Sequence, residues 1–377
     1  MVFLFARDLA GPAGGVVALA LYALSPDVIA HGSLATLDVP AAGFLLTSFW
    51  LLWRARFRAS HLPLAGLALG AAIATKMSAL AAVPVVLVLV VLSVRQSRLK
   101  AAAVVGFIAV VVVWACYVAV DPLTPFPLPY LEGMGAQFAM ERRVWGGFLF
   151  GTHYEGSRWY YLPAALLVKT PLGALVLWLA GAVVMVRRMR VAASYVLAPA
   201  AVLLVAAMTG NRDLGVRYAI FVPMFLAVAA GAVVVVRQRW AHVVVAVLVA
   251  FVAVSSLRTF PYYLPYSNEA FGGPEKTHLY LHDSNVDWGQ DLGRLADRLS
   301  ERYPGERIWL VYKGAGVPSY YGVKASDPRT ASPSEVRGLL VVSDTAIAKA
   351  DDRLAALIAG STPIDEVGHS ITIFRRP

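Results

Sequence analysis

Four ionisable residues stand at the edges of apolar runs, where their cost must be met by a role. Asp38 closes the loop His31-Gly-Ser-Leu-Ala-Thr-Leu-Asp38 and abuts Val39-Pro40, where an apolar run begins. A carboxylate at such a boundary can act as a general base or orient one. The same placement before Val-Pro suits a helix N-cap, and the two roles are compatible. Lys76, in Ala-Thr-Lys-Met-Ser, separates two short apolar runs. It either snorkels to lipid headgroups or holds a lipid phosphate. Lys169 lies about 12 Å along a helix from Tyr161, at roughly 1.5 Å per residue, with Pro171 just beyond. A buried cation there is costly unless paired, so it reads as functional. Arg217 ends the charged turn Asn211-Arg212-Asp213-Leu-Gly-Val-Arg217 at a helix start, where a cation opposes the dipole. A phosphate beside the helix amides would resolve that conflict, and so would pairing with Asp213.

The stretch between residues 121 and 161 carries Trp145, His153, Tyr154, Trp159, Tyr160 and Tyr161. Aromatics at this level form an interfacial belt; His153, Trp159 and Tyr160 are also candidates for a platform under a sugar or an acceptor. Asp283, Asn285 and Asp287 have the spacing that opens a calcium loop. The glycine falls one place late, at Gly289, and Arg294 occupies the position of the bidentate acid, so calcium binding of that kind is not expected. No zinc-ligand spacing, Walker A or GxSxG motif occurs, and neither a metal nor a cofactor is indicated.

The elements that position these residues are long and apolar. Of 377 residues, 59% are hydrophobic and 15% charged, against about 25% charged in a soluble domain. The mean hydropathy is +0.65. About nine membrane spans are expected, near 11–30, 39–53, 62–75, 79–94, 101–120, 162–186, 192–209, 218–236 and 241–257. Four basic clusters fall on one side of them: Arg54, Arg56 and Arg58; Arg95, Arg98 and Lys100; Arg187, Arg188 and Arg190; and Arg237 with Arg239. The positive-inside rule makes that side cytoplasmic, with the N-terminus, and sets the candidate residues on the opposite side. The formal charge of +10 thus reflects topology, and nucleic acid is not an expected partner. Cys116 stands alone, and no secretory signal is readable, since Arg7 and Asp8 interrupt the first apolar stretch.

The fold class is therefore an α-helical polytopic membrane protein, residues 1–257, with a C-terminal extracytoplasmic α/β domain, residues 258–377. In that domain Asp287 and Gln290 have capping-box spacing, followed by an apolar face of Leu292, Leu295, Ala296 and Leu299. Three strands are expected at 308–312, 339–343 and 370–374.

The chain resembles the GT-C superfamily of membrane glycosyltransferases, in the branch of protein O-mannosyltransferases and bacterial aminoarabinose transferases. The resemblance is carried by Ser25-Pro26 through Ala35-Thr36-Leu37-Asp38 and by Ala74-Thr75-Lys76-Met77-Ser78-Ala79-Leu80. It continues through Trp159-Tyr160-Tyr161-Leu162-Pro163 into Val168-Lys169-Thr170-Pro171, then Asn211 to Arg217-Tyr218. Its last parts are Tyr266-Ser267-Asn268-Glu269 and Asp283-Ser284-Asn285-Val286-Asp287-Trp288-Gly289-Gln290-Asp291-Leu292.

The resemblance implies transfer of a sugar from a polyprenyl-phosphate carrier to an acceptor hydroxyl on the outer face of a bacterial-type cytoplasmic membrane, with inversion. The acceptor could be a protein, a lipid or a glycan. The resemblance places Asp38 at the family's second acidic position and makes Lys76, Lys169 and Arg217 candidate phosphate ligands. The opening Met1-Val-Phe-Leu-Phe-Ala-Arg7 is similar to the tail of the family's second span, so the first span and its acidic loop are expected to be lacking. Two other readings remain open: a non-catalytic scaffold with a partner-binding outer domain, and a transporter, which would carry midplane charges on broken helices.

Overall fold

The computed structural model describes residues 1–94, 97–123 and 127–377; Arg95, of the second basic cluster, lies outside them. Among the described residues twelve α-helices make the apolar part: α1 (Val2–Ala23), α2 (Pro26–Ser33), α3 (Asp38–Ala55), α4 (His61–Thr75), α5 (Val83–Ser93), α6 (Arg98–Val120), α7 (Leu128–Glu141), α8 (Tyr161–Lys169), α9 (Leu172–Arg188), α10 (Arg190–Met208), α11 (Phe221–Gly231) and α12 (Arg239–Thr259). Among the described residues four helices, α1, α6, α10 and α12, are long and apolar enough to cross a membrane, or up to six segments if each bent pair counts as one. Three more apolar helices, His61–Thr75, Met77–Ser93 and Phe221–Val235, are shorter. The chain is a multi-pass membrane protein; against the nine spans expected, its described residues give four to six by length and composition, beside the three shorter apolar helices.

Two expected spans are broken by proline. The run near 11–30 divides between α1 and α2 at Ser25, whose φ −74° and ψ 117° are extended, ahead of Pro26. The run near 162–186 divides at Thr170 (φ −101°, ψ 131°), ahead of Pro171. A residue before proline is driven out of the helical region by the ring's Cδ, which explains both breaks. Helices α8 and α9 meet at 119°, and α2 and α3 at 117°. These corners leave Lys169, Asp27 and Asp38 at helix ends.

Small residues set the closest helix contacts. A Cβ on Gly66 or Gly70 of α4 would lie 2.8 Å from the Val105 carbonyl oxygen or 2.7 Å from that of Ala109, both on α6. Such spacing allows backbones to approach where lipid supplies no hydrophobic drive between helices. At one end of the bundle Arg56 stacks over Trp53, 4.7 Å from the ring centroid, and Trp53 shares a groove with Arg187, Arg188 and Arg190. Asp38, Lys76 and Arg217 lie at the other ends of their helices.

Between α7 and α8 a hairpin forms from β1 (Gly146–Leu149) and β2 (Thr152–Glu155). After α12 come α13 (Leu292–Arg302), β3 (Ile308–Val311), β4 (Gly338–Ser343), α14 (Asp344–Ala348), α15 (Asp352–Ala359), β5 (Thr362–Val367) and β6 (Ile371–Arg376). The sheet runs β3-β4-β6-β5, with β3 and β4 parallel and the other pairs antiparallel. Leu292, Leu295 and Leu299 of α13 pack on one face, while Leu354 and Leu357 of α15 pack on the other.

The three expected strands form, and β5 is an addition. Its Pro363, Asp365 and Glu366 hide a strand pattern that an edge position tolerates. The expected capping box does not form. Asp287 instead accepts the Thr345 N–H (2.8 Å), Gln290 accepts that of Trp288 (2.8 Å), and the helix begins later, at Leu292. Docking the loop before α13 onto α14 uses the side chain that a cap would need.

Candidate functional site

A cavity of about 390 Å³ opens between α3, α7, α10 and the turn after Lys76. Its charged end is made of Asp38, Lys76, Arg217 and Glu141, and its deeper wall of Leu45, Leu80, Leu203 and Phe221. A second compartment, of about 460 Å³, shares Lys76, Glu141, Arg217 and Tyr218 and adds Thr75 and Arg212.

Asp38 is the first residue of α3 and makes no capping hydrogen bond. Its side chain is 3% exposed. One carboxylate oxygen accepts from the Lys76 ammonium, and the other faces Arg217 Nη1 at 3.8 Å. Lys76 reaches it because α4 ends at Thr75 and Lys76 is extended (φ −153°, ψ 121°) before the 3₁₀ turn Met77–Ala82. Arg217 sits on the 3₁₀ turn Val216–Ala219, pinned where the Val216 N–H donates to Asn285 Oδ1 (2.9 Å). Its guanidinium stacks over Trp288 (4.3 Å) and Tyr218 (4.7 Å) and donates to the Tyr218 hydroxyl (3.0 Å). Lys76 and Arg212 stand 5.5 and 5.7 Å from the same Tyr218 ring. Three cations thus surround one aromatic ring, an arrangement that favours positive charge through the ring's quadrupole.

Asp213, the other candidate partner of Arg217, is engaged elsewhere. It accepts from the Tyr154 hydroxyl and the Arg158 N–H, both at 2.7 Å. Burial raises its carboxyl above the ordinary range, and burial together with the bond to Asp213 raises the Tyr154 phenol. Arg217 pairs across the cavity with Asp38, resolving the unfavourable placement read from the sequence.

Lys169 is fully buried outside the cavity. Its ammonium donates to the Leu264 carbonyl (2.5 Å) and the Asn285 carbonyl (3.0 Å) and lies 3.3 Å from Asp27 Oδ1. Two carbonyl acceptors and the facing Asp27 carboxylate thus surround the ammonium inside the protein. The structure therefore separates Lys169 from Lys76 and Arg217, with which it had been grouped. Between the two clusters stands His31, fully buried and edge-on to Trp288 at 6.2 Å.

His153, Trp159 and Tyr160 do not line either compartment. His153 lies on β2 beside Phe148 (4.9 Å), and Trp159 packs edge-on to Tyr160 (5.6 Å) with 69% of its surface exposed. Asp283 is held by Lys313 and Lys349 at 3.5 and 3.4 Å. Among the described residues no group of three or more His, Cys, Asp or Glu side chains could hold a metal ion.

The sequence reading missed four members of these clusters: Asp27, Glu141, Arg212 and Trp288. Glu141 had a visible signal. Met134, Gln137, Phe138 and Glu141 follow helical spacing, and all four face the cavity. Asp27 lies inside the run expected near 11–30, which the structure breaks at Ser25.

Residues 1–117 match the model of the family described as dolichyl-phosphate-mannose-protein mannosyltransferase. No curated protein matches the chain. Among solved structures, the crystal structure of ArnT from Cupriavidus metallidurans bound to undecaprenyl phosphate is similar, with a TM-score of 0.47 and 14% identity over 99% of this chain and 81% of that one. The family match spans Asp38 and Lys76 and stops before Arg217. On that segment the resemblance read from the sequence holds: residues 1–117 match a mannosyltransferase family of the GT-C superfamily of membrane glycosyltransferases.

Proposed function

We propose that the chain transfers a sugar from a polyprenyl-phosphate carrier to an acceptor hydroxyl on the extracytoplasmic side of a bacterial-type cytoplasmic membrane. The observation that carries this reading is the convergence of Lys76 and Arg217 at the head of a cavity whose deeper wall is apolar. That shape suits an anionic head on an apolar chain. The charged groups of the two compartments are three cations, Lys76, Arg212 and Arg217, and two carboxylates, Asp38 and Glu141, which leave one positive charge. A sugar-bearing phosphodiester carries one negative charge.

In this reading Lys76 and Arg217 are the donor-phosphate ligands. Asp38 holds them in place in the empty site and yields them to the phosphate on binding. As the bond to the sugar breaks, charge builds on the departing phosphate, and fixed cations stabilise it most at that point. Direct displacement by the acceptor hydroxyl inverts the anomeric centre. Lys169 ties α8 to the outer segment and acts on the site only through the fold. His153, Trp159 and Tyr160, outside both compartments, suit an interfacial belt better than a sugar platform. The grouping of Arg56, through Trp53, with Arg187, Arg188 and Arg190 at the far end supports the proposed orientation.

The test is binding of undecaprenyl phosphate to the purified chain in nanodiscs, beside undecaprenol, which lacks the phosphate. Saturable binding of the phosphate alone supports the transferase reading. Equal binding of both, or of neither, favours the scaffold.

A further inference from the structure

The turn that carries Arg217 is gripped, residue by residue, by the segment 283–290, to which the transferase reading gives no role. The Leu214 carbonyl accepts from both the Ser284 N–H (3.1 Å) and the Ser284 hydroxyl (2.6 Å). Gly215, at φ +151°, passes so close to that hydroxyl that a Cβ there would collide with it. The Val216 N–H donates to Asn285 Oδ1 (2.9 Å), and the Arg217 guanidinium lies over the Trp288 ring (4.3 Å). Ser284, Asn285 and Trp288 thus hold residues 214 to 217 in matching order along the two stretches.

Hydrogen bonds do little to aim Arg217 itself. Among the described residues it makes one, from Nη2 to the Tyr218 hydroxyl (3.0 Å). Its Nη1 stands 3.8 Å from Asp38, beyond hydrogen-bond distance, and its Nε is buried without an acceptor. What remains to orient the guanidinium is the pair of rings, Trp288 and Tyr218. A ring on the face of a guanidinium attracts the cation and uses none of its N–H donors, which lie in the plane. The fork stays open to two oxygens of a phosphate. Tyr218 lines both compartments and serves three cations, whereas Trp288 lines neither, so its ring reaches a ligand only through Arg217.

We infer that Trp288 is a positioning residue for the donor phosphate, presenting Arg217 to the cavity; the inference rests on the transferase reading above. The ring is itself fixed. The Trp288 N–H donates to Gln290 Oε1 (2.8 Å), Gln290 Nε2 donates to the Val286 carbonyl (3.1 Å), and Asp287 accepts the Thr345 N–H (2.8 Å). His31 stands edge-on to the same ring at 6.2 Å. In the empty site Arg217 is shared between Asp38 and the rings. When a phosphate takes the place of Asp38, the hold of Trp288 persists, because the ring competes for no donor. The C-terminal segment is on this account part of the donor site.

The test is a double-mutant cycle on the full chain in nanodiscs. Affinity for undecaprenyl phosphate is the readout, undecaprenol the control for the apolar chain, and melting curves the control for folding. Trp288→Leu should lose about 3- to 30-fold in affinity, and Trp288→Phe, which keeps a smaller ring face, should lose less. In the Lys76→Ala background the Trp288→Leu loss should persist in full. In the Arg217→Ala background it should shrink to less than about twofold, since no guanidinium remains to be aimed. If Trp288→Leu does not fold, Trp288→Phe carries the same cycle, and its smaller loss should likewise vanish without Arg217. Equal losses with and without Arg217 would make Trp288 a packing residue and overturn the inference. So would wild-type affinity in the folded variant that carries the cycle. A wild-type chain that binds neither lipid, or both equally, overturns the transferase reading instead.

Discussion

The carboxylate of Asp38 holds the ammonium of Lys76 at the head of the cavity, joining the start of α3 to the end of α4. Both residues stand at breaks in helical structure, where side chains can turn inward without leaving an apolar helix face. The pair keeps a cation ready at a boundary where lipid would otherwise make it costly.

Lys169 and Asp27 form a second, wholly buried pair that belongs to folding. Lys169→Ala would strand Asp27 and lose two bonds to carbonyl oxygens, costing about 3–5 kcal/mol. Thermal unfolding in nanodiscs should show the loss, while the folded fraction keeps its affinity for undecaprenyl phosphate. Normal stability with weakened binding would return Lys169 to the phosphate site.

Asn285 is a hub between the C-terminal segment and the helices. It donates to the Tyr161 hydroxyl (2.9 Å), accepts from the Val216 N–H (2.9 Å), and its carbonyl receives Lys169. Asn285→Ala leaves a buried N–H and a buried hydroxyl unpaired, at about 1–3 kcal/mol each. Since Val216 precedes Arg217, undecaprenyl phosphate affinity should fall along with the melting temperature. A variant with wild-type affinity and stability would show that the hub does not hold Arg217.

Asp287 should make the C-terminal segment sensitive to alkaline pH. Burial pushes its carboxyl up to about 8, against a smaller downward pull from the bond to the Thr345 N–H. An unfolded chain releases that proton at about pH 3.9. Between those values the folded chain holds more protons than the unfolded one, so stability falls as pH rises through the window and levels off above it. Asp287→Asn keeps an acceptor for Thr345 and should flatten the dependence, melting higher than wild type at about pH 8.5. Parallel curves for the two proteins from pH 5 to pH 9, at about one-unit steps, would contradict this assignment.

Much of the site was legible because charge is conspicuous in an apolar chain. Asp38, Lys76 and Arg217 each stood at the end of an apolar run, and the fold brings the three to one cavity. Their convergence was not legible, since it depends on how α3, α4 and the 216–219 turn pack. The unusual burial of Lys169 was readable, but its partners were not. Two are backbone carbonyls from the C-terminal segment, which leave no trace in side-chain pattern, and the third, Asp27, lay within an expected span. The capping-box spacing at Asp287 misled because the same side chain docks the loop on α14. Glu141 was signalled only by the helical spacing that leads to it from Met134, Gln137 and Phe138, and α7 places it at the cavity.

The central claim is that Lys76 and Arg217 together hold a lipid phosphate. The most direct measurement is the affinity of wild type, Lys76→Ala, Arg217→Ala and the double variant for undecaprenyl phosphate in nanodiscs, with melting curves as the control for folding. Each charge-assisted contact is worth about 1.5–3 kcal/mol, so each single variant should lose about 10- to 100-fold in affinity while remaining folded. Undecaprenyl phosphate binding that is unchanged in the folded double variant would contradict the account.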